Sequence, residues 1–141
     1  MNTDLTRATA LLNEGDYTCV ACKGNTTYTA TNRGVKPLVH WLDEKTDLAG
    51  FSAADKVVGK ATAYLYCLLG VKAVYANVMS TAALQVLQSH GIDASCGKEV
   101  PGIINRKGDG PCPFEAAVWD ITDAQQALIA IHKKQAEMGI R

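Results

Sequence analysis

Apolar residues recur at helical spacing in some segments and follow one another almost without interruption in others, with polar turn residues between the segments. In the first part of the chain, Gly15 ends a helical pattern, and Gly24 and Asn25 join two strand patterns as a hairpin turn. The elements predicted there are a helix over 3–14, strands over 17–23 and 26–31, and a helix over 35–45 that begins near Pro37.

The longest helical pattern starts at Ser52. Apolar residues recur at helical spacing from Ser52 to Leu69, Asp55 follows Ser52 at the distance of a capping box, and Gly70 supplies a stop. We therefore predict one helix over 52–69. Glycine inside a helix costs about 1 kcal/mol relative to alanine, so we interpret Gly59 as a point of close packing against a sheet.

The second half of the chain alternates strands with helices. Residues 71–78 are almost entirely apolar, which is typical of a strand covered on both faces, and Ser80 is placed to cap the next helix. The remaining predicted elements are a helix over 81–90, a strand over 92–96, a loop over 97–110, a helix from Pro111 or Pro113 to Trp119, and a helix over 122–138. This order predicts one α/β domain over 1–141, a three-layer α/β/α sandwich with a mixed sheet.

Composition excludes several classes of protein. The chain has 141 residues, of which 48% are hydrophobic and 20% charged, as expected for an ordinary globular domain. Fourteen basic residues balance fourteen acidic ones, so the basic excess of a duplex-binding protein is missing. The sequence contains neither an apolar run of roughly 20 residues nor a signal-peptide pattern. These features predict a cytoplasmic protein that binds neither duplex nucleic acid nor a membrane.

The five cysteines predict reduced thiols, because the number is odd and no export signal is present. Cys19 and Cys22 have the spacing of a redox or zinc motif. Side chains three apart on a strand point to opposite faces, so one ion cannot be held by both. We predict neither a metal site nor a cofactor, and keep as an alternative a thiol-dependent enzyme that uses Cys112 or the pair Cys19 and Cys22.

Four segments carry a resemblance to a known family: 17–20 (Tyr-Thr-Cys-Val), 33–38 (Arg-Gly-Val-Lys-Pro-Leu), 52–61 and 104–110. With the order of elements, they resemble a small uncharacterised prokaryotic family of unknown function that has the cytidine-deaminase-like fold. The resemblance extends over nearly the whole chain. It implies the deaminase-like sandwich and, by analogy, favours a homo-oligomer, but the family has no established activity.

The zinc motifs of true deaminases are missing. Those enzymes need a His or Cys ligand followed two residues later by Glu at the start of the helix after the hairpin, and Pro-Cys-x-x-Cys at the start of the next helix. We compare the two motifs with residues 52–55 and 79–84, which contain no ligand. Pro111-Cys112-Pro113 resembles the second motif but comes too late in the order of elements. Zinc-dependent deamination is therefore not predicted.

The candidate functional residues follow from the position of the cleft in the parent fold. There the resemblance places Asp55 and Lys56, which we interpret as an acid/base or ligand-binding pair. A helix cap and a solvated lysine are the plain alternative. Cys112 is a further catalytic candidate, because a helix start stabilises a thiolate. Glycine-containing basic loops and helix N-termini suit an anion. The expected ligand-binding residues are Arg33, Lys36, Ser52, Lys60, Ser80, Thr81, Asn105, Arg106 and Lys107.

Three functional hypotheses remain open. In the first, a metal-free protein binds a small anionic, nucleotide-like ligand in a cleft at the N-termini of the helices starting at Ser52 and Ser80, acting through Asp55 and Lys56. In the second, the same cleft serves a non-catalytic ligand-sensing or partner-binding module. The third is the thiol-dependent enzyme.

Overall fold

The computed structural model describes residues 2–32, 35–104, 108 and 110–139. One five-stranded sheet organises this part of the chain, with strand order β2-β1-β3-β4-β5. Strand β1 is antiparallel to both of its neighbours, whereas β3, β4 and β5 are parallel. In chain order the elements are α1 (Thr3–Glu14), β1 (Cys19–Lys23), β2 (Thr26–Ala30), α2 (Lys36–Asp43), β3 (Ser52–Val58), α3 (Lys60–Leu69), β4 (Ala73–Ser80), α4 (Thr81–Ser89), β5 (Asp93–Val100), α5 (Pro113–Ala117) and α6 (Ala124–Glu137).

Helices cover both faces of the sheet, which confirms the predicted three-layer sandwich. On one face α1 buries Ala8 and Leu12 against Val20, Cys22 and Ala54. The other five helices supply the larger core on the opposite face, where Leu38, Leu65, Leu87, Phe114 and Ile131 pack against the strands. None of the described helices is long and apolar enough to cross a membrane.

The predicted helix over 52–69 is wrong in its first half. Ser52–Val58 forms β3, the central strand, which pairs with β1 on one side and β4 on the other. A strand buried on both faces is apolar almost throughout, so its pattern cannot be distinguished from that of a buried helix. Helix α3 begins only at Lys60 and follows Gly59, which therefore lies before the helix rather than inside it.

Ser52 consequently does not cap a helix. Its buried hydroxyl accepts a hydrogen bond of 2.8 Å from the side-chain amide of Asn2, the residue that caps α1. The loop predicted over 97–110 is also too long, because β5 continues to Val100 in register with β4. The second half of β5 has exposed polar side chains, so its sequence has the composition of a loop. Pairing with β4 determines its strand conformation.

Candidate functional site

The carboxyl ends of the parallel strands lie at one edge of the sheet, where open α/β sheets bind their ligands. Helices α3 and α4 begin directly after β3 and β4 at this edge. The end of β2 reaches the same edge, because Ala30 pairs with Cys19 and Cys19 pairs with Asp55. Helices α2, α3 and α4 therefore all begin near the carboxyl ends of the parallel strands.

Asp55 lies near the end of β3 and points into the larger core. Its side chain is buried, and its residue exposure is only 8%. Oδ2 accepts a hydrogen bond of 2.7 Å from the Tyr66 hydroxyl, and Oδ1 accepts one of 3.3 Å from the backbone amide of Val57. Burial raises the pKa of Asp55 to about 7, because these hydrogen bonds offset only part of the lost hydration.

Lys56 is exposed, and its backbone amide donates to the carbonyl of Thr18 at 3.1 Å. Adjacent residues of a strand point to opposite faces of a sheet. Because Asp55 points into the larger core, the two side chains diverge. The structure thus separates the pair that the sequence placed together, and we do not propose a joint action on one ligand.

Cys19 and Cys22 point to opposite faces of the sheet, as predicted from their spacing. Cys19 packs in the larger core, and Cys22 packs under α1 with its Sγ 3.7 Å from Oγ1 of Thr27. Burial raises the pKa of the Cys19 thiol well above its ordinary value, and the nearby Asp55 raises it further. No group of three His, Cys, Asp or Glu side chains in the described ranges is arranged to hold a metal ion.

Glu115 is a buried carboxylate that the sequence analysis missed as a site residue. It lies on α5, is 3% exposed, and accepts a hydrogen bond of 2.6 Å at Oε2 from the backbone amide of Lys60. Burial raises the pKa of Glu115, whereas the Lys60 amide and the Ser80 hydroxyl lower it. The hydrogen bond joins residues 55 positions apart, so no local pattern in the sequence indicates it.

The side chains of Lys60, Ser80 and Thr81 have partners within the protein. The Lys60 ammonium donates to the carbonyl of Trp119 at 2.7 Å, and Ser80 caps α4 by accepting from the amide of Ala83 at 3.1 Å. The Thr81 hydroxyl donates to Oε2 of Glu99 at 2.7 Å. Ligand binding by Lys60, Ser80 and Thr81 stays a prediction.

The other candidates are distributed over the molecule. Cys112 is half-buried against the core at the start of α5, and Lys36 is exposed at the start of α2. Arg33, Asn105, Arg106 and Lys107 lie outside the described residues.

A groove of about 570 Å³ lies between the end of β2, the outer side of α2, and α6. We call it the α2 groove. Lys36 and His40, one turn apart on α2, line it together with Asn32, Gln135 and the carboxylate of Asp43. The first turn of α2 receives no hydrogen bond from a capping side chain, since Val35 precedes it. The α2 groove therefore places the Lys36 ammonium and the His40 imidazole beside an uncapped helix N-terminus.

The corrected elements also change the comparison with the zinc motifs. The helix after the hairpin is α2 and the next one is α3, so the segments to compare are 35–38 (Val-Lys-Pro-Leu) and 60–63 (Lys-Ala-Thr-Ala). Residues 52–55 and 79–84 do not begin these two helices, because 52–55 lie in β3 and 79–84 span the end of β4 and the start of α4. The corrected segments contain neither His, Cys nor Glu, so the motifs are missing at these positions as well.

Comparison with known proteins gives a family and a fold. A family model described as "TM1506: Domain of unknown function (DUF1893)" matches residues 7–135. The crystal structure of a DUF1893 family protein from Thermotoga maritima is 26% identical with a TM-score of 0.85, and the match covers 95% of this chain and 92% of that one. A search of curated proteins gives no match.

Two deaminase structures show weaker similarity. The dCMP deaminase from the cyanophage S-TIM5 is 17% identical with a TM-score of 0.42, over 55% of this chain and 77% of that chain. A diaminohydroxyphosphoribosylaminopyrimidine deaminase/5-amino-6-(5-phosphoribosylamino)uracil reductase from Thermotoga maritima is 15% identical with a TM-score of 0.44, over 67% and 35% of the two chains.

Proposed function

The chain belongs to the DUF1893 family, and we propose that it binds a small anionic, nucleotide-like ligand in the α2 groove without the help of a metal. The observation that supports this proposal is the presence of Lys36 and His40 on one side of α2 in a groove of about 570 Å³. Residues four apart on a helix are neighbours, so both side chains can approach the same anionic group.

The size and lining of the α2 groove fit a small molecule with a charged end and a less polar body. Small-molecule sites in proteins have volumes of roughly 300–1,000 Å³ and combine apolar walls with a few polar groups. Pro37, Val39 and Trp41 supply apolar surface beside Lys36, and the hydroxyl of Thr29 supplies a hydrogen-bonding group. The partial positive charge at the start of α2 adds a favourable interaction with an anion.

A catalytic role for Asp55 is a second proposal, favoured by its pKa of about 7, since acids and bases work best near the ambient pH. Asp55 lies two strands from Ala30 at the wall of the α2 groove, a distance of about 10 Å across a sheet. Because of this distance, a sensing module that binds the ligand without catalysis is the simpler interpretation. The buried Cys19, whose thiol pKa is raised, does not favour the thiol-dependent alternative.

Ligand titrations test the binding proposal. The probes are inorganic phosphate, ribose 5-phosphate, and one purine and one pyrimidine nucleoside monophosphate, followed by thermal shift and calorimetry. We expect at least one probe to raise the melting temperature by several degrees. The substitution Lys36→Gln removes one charged hydrogen-bond donor, worth about 1.5–3 kcal/mol, and should weaken binding roughly tenfold or more.

The matched control is Lys98→Gln. Lys98 is an exposed lysine on β5, and β5 and β2 are the two outer strands on opposite sides of the sheet. Its substitution therefore makes the same change in net charge far from the α2 groove. It should leave affinity unchanged. Equal weakening by both substitutions, or no stabilisation of the unaltered protein by any probe, would contradict the proposal.

A ligand that the protein converts to a product tests the role of Asp55. If Asp55 acts as an acid or base, Asp55→Asn should abolish the conversion of that ligand and preserve its binding.

A further inference from the structure

Helix α6 has a polar residue in its buried stripe. Ala127, Ile131 and Gln135 follow one another at intervals of four residues, so all three lie on the side of the helix that faces the interior. Ala127 and Ile131 are fully buried in the larger core. Gln135 is only 7% exposed, although glutamine is mostly a surface residue and this spacing ordinarily selects an apolar side chain. Packing alone therefore does not account for a carboxamide at this position.

The Gln135 carboxamide has no hydrogen-bond partner within the described part of the chain. Burial of a polar group without a partner costs the free energy of its lost hydration, so most buried polar groups are paired. Ser52, Asp55 and Ser80, which are also buried, each form a side-chain hydrogen bond. Gln135 lines the α2 groove, and its small accessible surface opens there. Its N–H donors and its acceptor oxygen are thus available to a molecule in the groove.

Gln135 and Lys36 belong to different walls of the α2 groove, because Gln135 is on α6 and Lys36 is in the first turn of α2. Nε2 of His132 on α6 lies 3.5 Å from Oδ1 of Asp43, the last residue of α2. Gln135 follows His132 by about one turn of α6, whereas Lys36 precedes Asp43 by about 10 Å along α2. The groove therefore offers a charged group and a neutral carboxamide to different parts of one ligand.

The α2 groove also offers apolar surface to a ring. Pro37, Val39 and Trp41 line it, and the Trp41 ring packs against Tyr28 with 6.2 Å between the ring centres. A flat heterocycle buries its faces against such a surface and still needs partners for the polar atoms on its edge. A glutamine carboxamide meets this need when the edge carries a donor beside an acceptor, because its own donor and acceptor lie side by side.

We propose that Gln135 is a specificity-determining residue that recognises the donor and acceptor on the edge of a nucleobase, while Lys36 and His40 contact the anionic group of the same ligand. This inference rests on the proposed function and makes it more specific: the ligand is a nucleoside phosphate rather than a sugar phosphate or a simple anion. Rotation of the carboxamide by half a turn exchanges its donor and its acceptor. Gln135 therefore separates ligands that have a base from ligands that have none, more than it separates one base from another.

The test compares ligands that differ chiefly in the base. Uridine monophosphate, adenosine monophosphate and ribose 5-phosphate are titrated by calorimetry into the unaltered protein and into Gln135→Met, which keeps the length of the side chain and removes the amide. We expect the unaltered protein to bind at least one nucleotide about tenfold or more tightly than ribose 5-phosphate. Gln135→Met should lose about tenfold in affinity for that nucleotide and less than about twofold for ribose 5-phosphate.

The matched control is Gln125→Met. Gln125 is an exposed glutamine on α6 and is not among the described residues that line the α2 groove, so its substitution should leave all three affinities unchanged. A second measurement needs no ligand. Because the Gln135 carboxamide is buried without a partner, Gln135→Met should keep or raise the melting temperature of the free protein. A melting temperature lowered by more than a few degrees, or a variant that does not fold, would assign Gln135 a structural role and contradict the proposal.

The outcomes separate this inference from the proposed function. If Lys36→Gln weakens the binding of nucleotide and sugar phosphate while Gln135→Met weakens both equally or neither, the anion site stands and recognition of a base by Gln135 is overturned. If Gln135→Met removes the preference for the nucleotide and Lys36→Gln has no effect, base recognition is supported and the proposed place of the anion is wrong. Failure of the unaltered protein to bind any of the three ligands contradicts both.

Discussion

Tyr66 on α3 donates a hydrogen bond of 2.7 Å to Oδ2 of Asp55 on β3, in the interior of the molecule. The bond joins the central strand to the helix that follows it. Burial raises the pKa of Asp55 to about 7, and it raises the pKa of Tyr66 well above the ordinary value. The core therefore contains a carboxyl group that changes charge near neutral pH.

The stability of the protein should fall as the pH rises from about 4 to about 7 through the ionisation of Asp55. The pKa is about 7 in the folded protein and near 3.8 when unfolded, so the folded state binds the proton more tightly between these values. The contribution is complete below pH 4 and is lost by pH 7, with an upper limit of ~4 kcal/mol. Urea denaturation across this range measures it.

Asp55→Asn should remove the share of this dependence that belongs to Asp55 and leave the protein at least as stable at pH 7.5, because a neutral amide avoids the cost of a buried charge. Glu115, whose pKa is also raised by burial, should retain its own share. Asp93→Asn, an exposed position on β5, is the matched control and should retain the slope of the unaltered protein. A slope that is unchanged in Asp55→Asn would assign the dependence to other groups.

Tyr66→Phe should destabilise the protein by about 1–3 kcal/mol, since it leaves a buried carboxyl with one donor fewer. The loss should be larger at pH 8 than at pH 5, because the charged form of Asp55 needs the donor most. Tyr64→Phe is the control: its hydroxyl donates to the neutral carbonyl of Ile121 at 2.7 Å, so its loss should cost the same at both pH values. Identical pH dependence of the two variants would refute a special role for the Tyr66 bond.

Gly59→Ala should cost about 1–3 kcal/mol, because the added methyl group overlaps the Glu115 carboxylate and Ile103. Denaturation of the single variant, of Glu115→Ala and of the double variant measures the coupling between the two positions. The double variant should recover part of the Gly59→Ala loss. Gly102→Ala, where a Cβ would meet no atom within 4 Å, should cost far less. Additive losses in the double variant would show that Glu115 is not the obstacle.

Thiol labelling should divide the cysteines into two groups. Cys19 and Cys22 are buried on opposite faces of the sheet, so they should react only when the protein opens, at least about tenfold more slowly than the half-buried Cys112. Alkylation at pH 8 with mass spectrometry of the peptides gives each rate. A fast reaction at Cys19 or Cys22 would revive the thiol-dependent alternative.

Local signals in the sequence sufficed for elements whose conformation is decided locally. Gly24 has a φ of +57° in the turn between β1 and β2, as the hairpin prediction requires, and the helix over 3–14 coincides with α1. The strand β3 was mistaken for a helix because Ala53, Ala54 and Val58 are buried on different sides by partners far along the chain. Hydrophobic periodicity identifies an element that has one exposed face, and the first half of β3 is buried on both faces.

The candidate site was less accessible to sequence reasoning, because its contacts join distant segments. The resemblance points to Asp55, but nothing in the spacing of residues 52–69 identifies Tyr66 as its partner. Glu115 lies on α5, and its contact with Lys60, 55 positions earlier in the chain, depends on how α5 packs. The cation at Lys60 is directed to Trp119 by the same packing. Such placements follow from the tertiary fold rather than from spacing.

The position of α1 has a consequence for the order in which the molecule assembles. This helix precedes all the strands in the chain, yet it lies across β1, β3 and β4, and Asn2 at its start bonds to Ser52. Helix α1 therefore has no surface to dock on until residues up to about 80 have been synthesised and paired. We expect α1 to close the molecule late, and deletion of residues 2–14 to leave a sheet with Val20, Cys22 and Ala54 open to self-association.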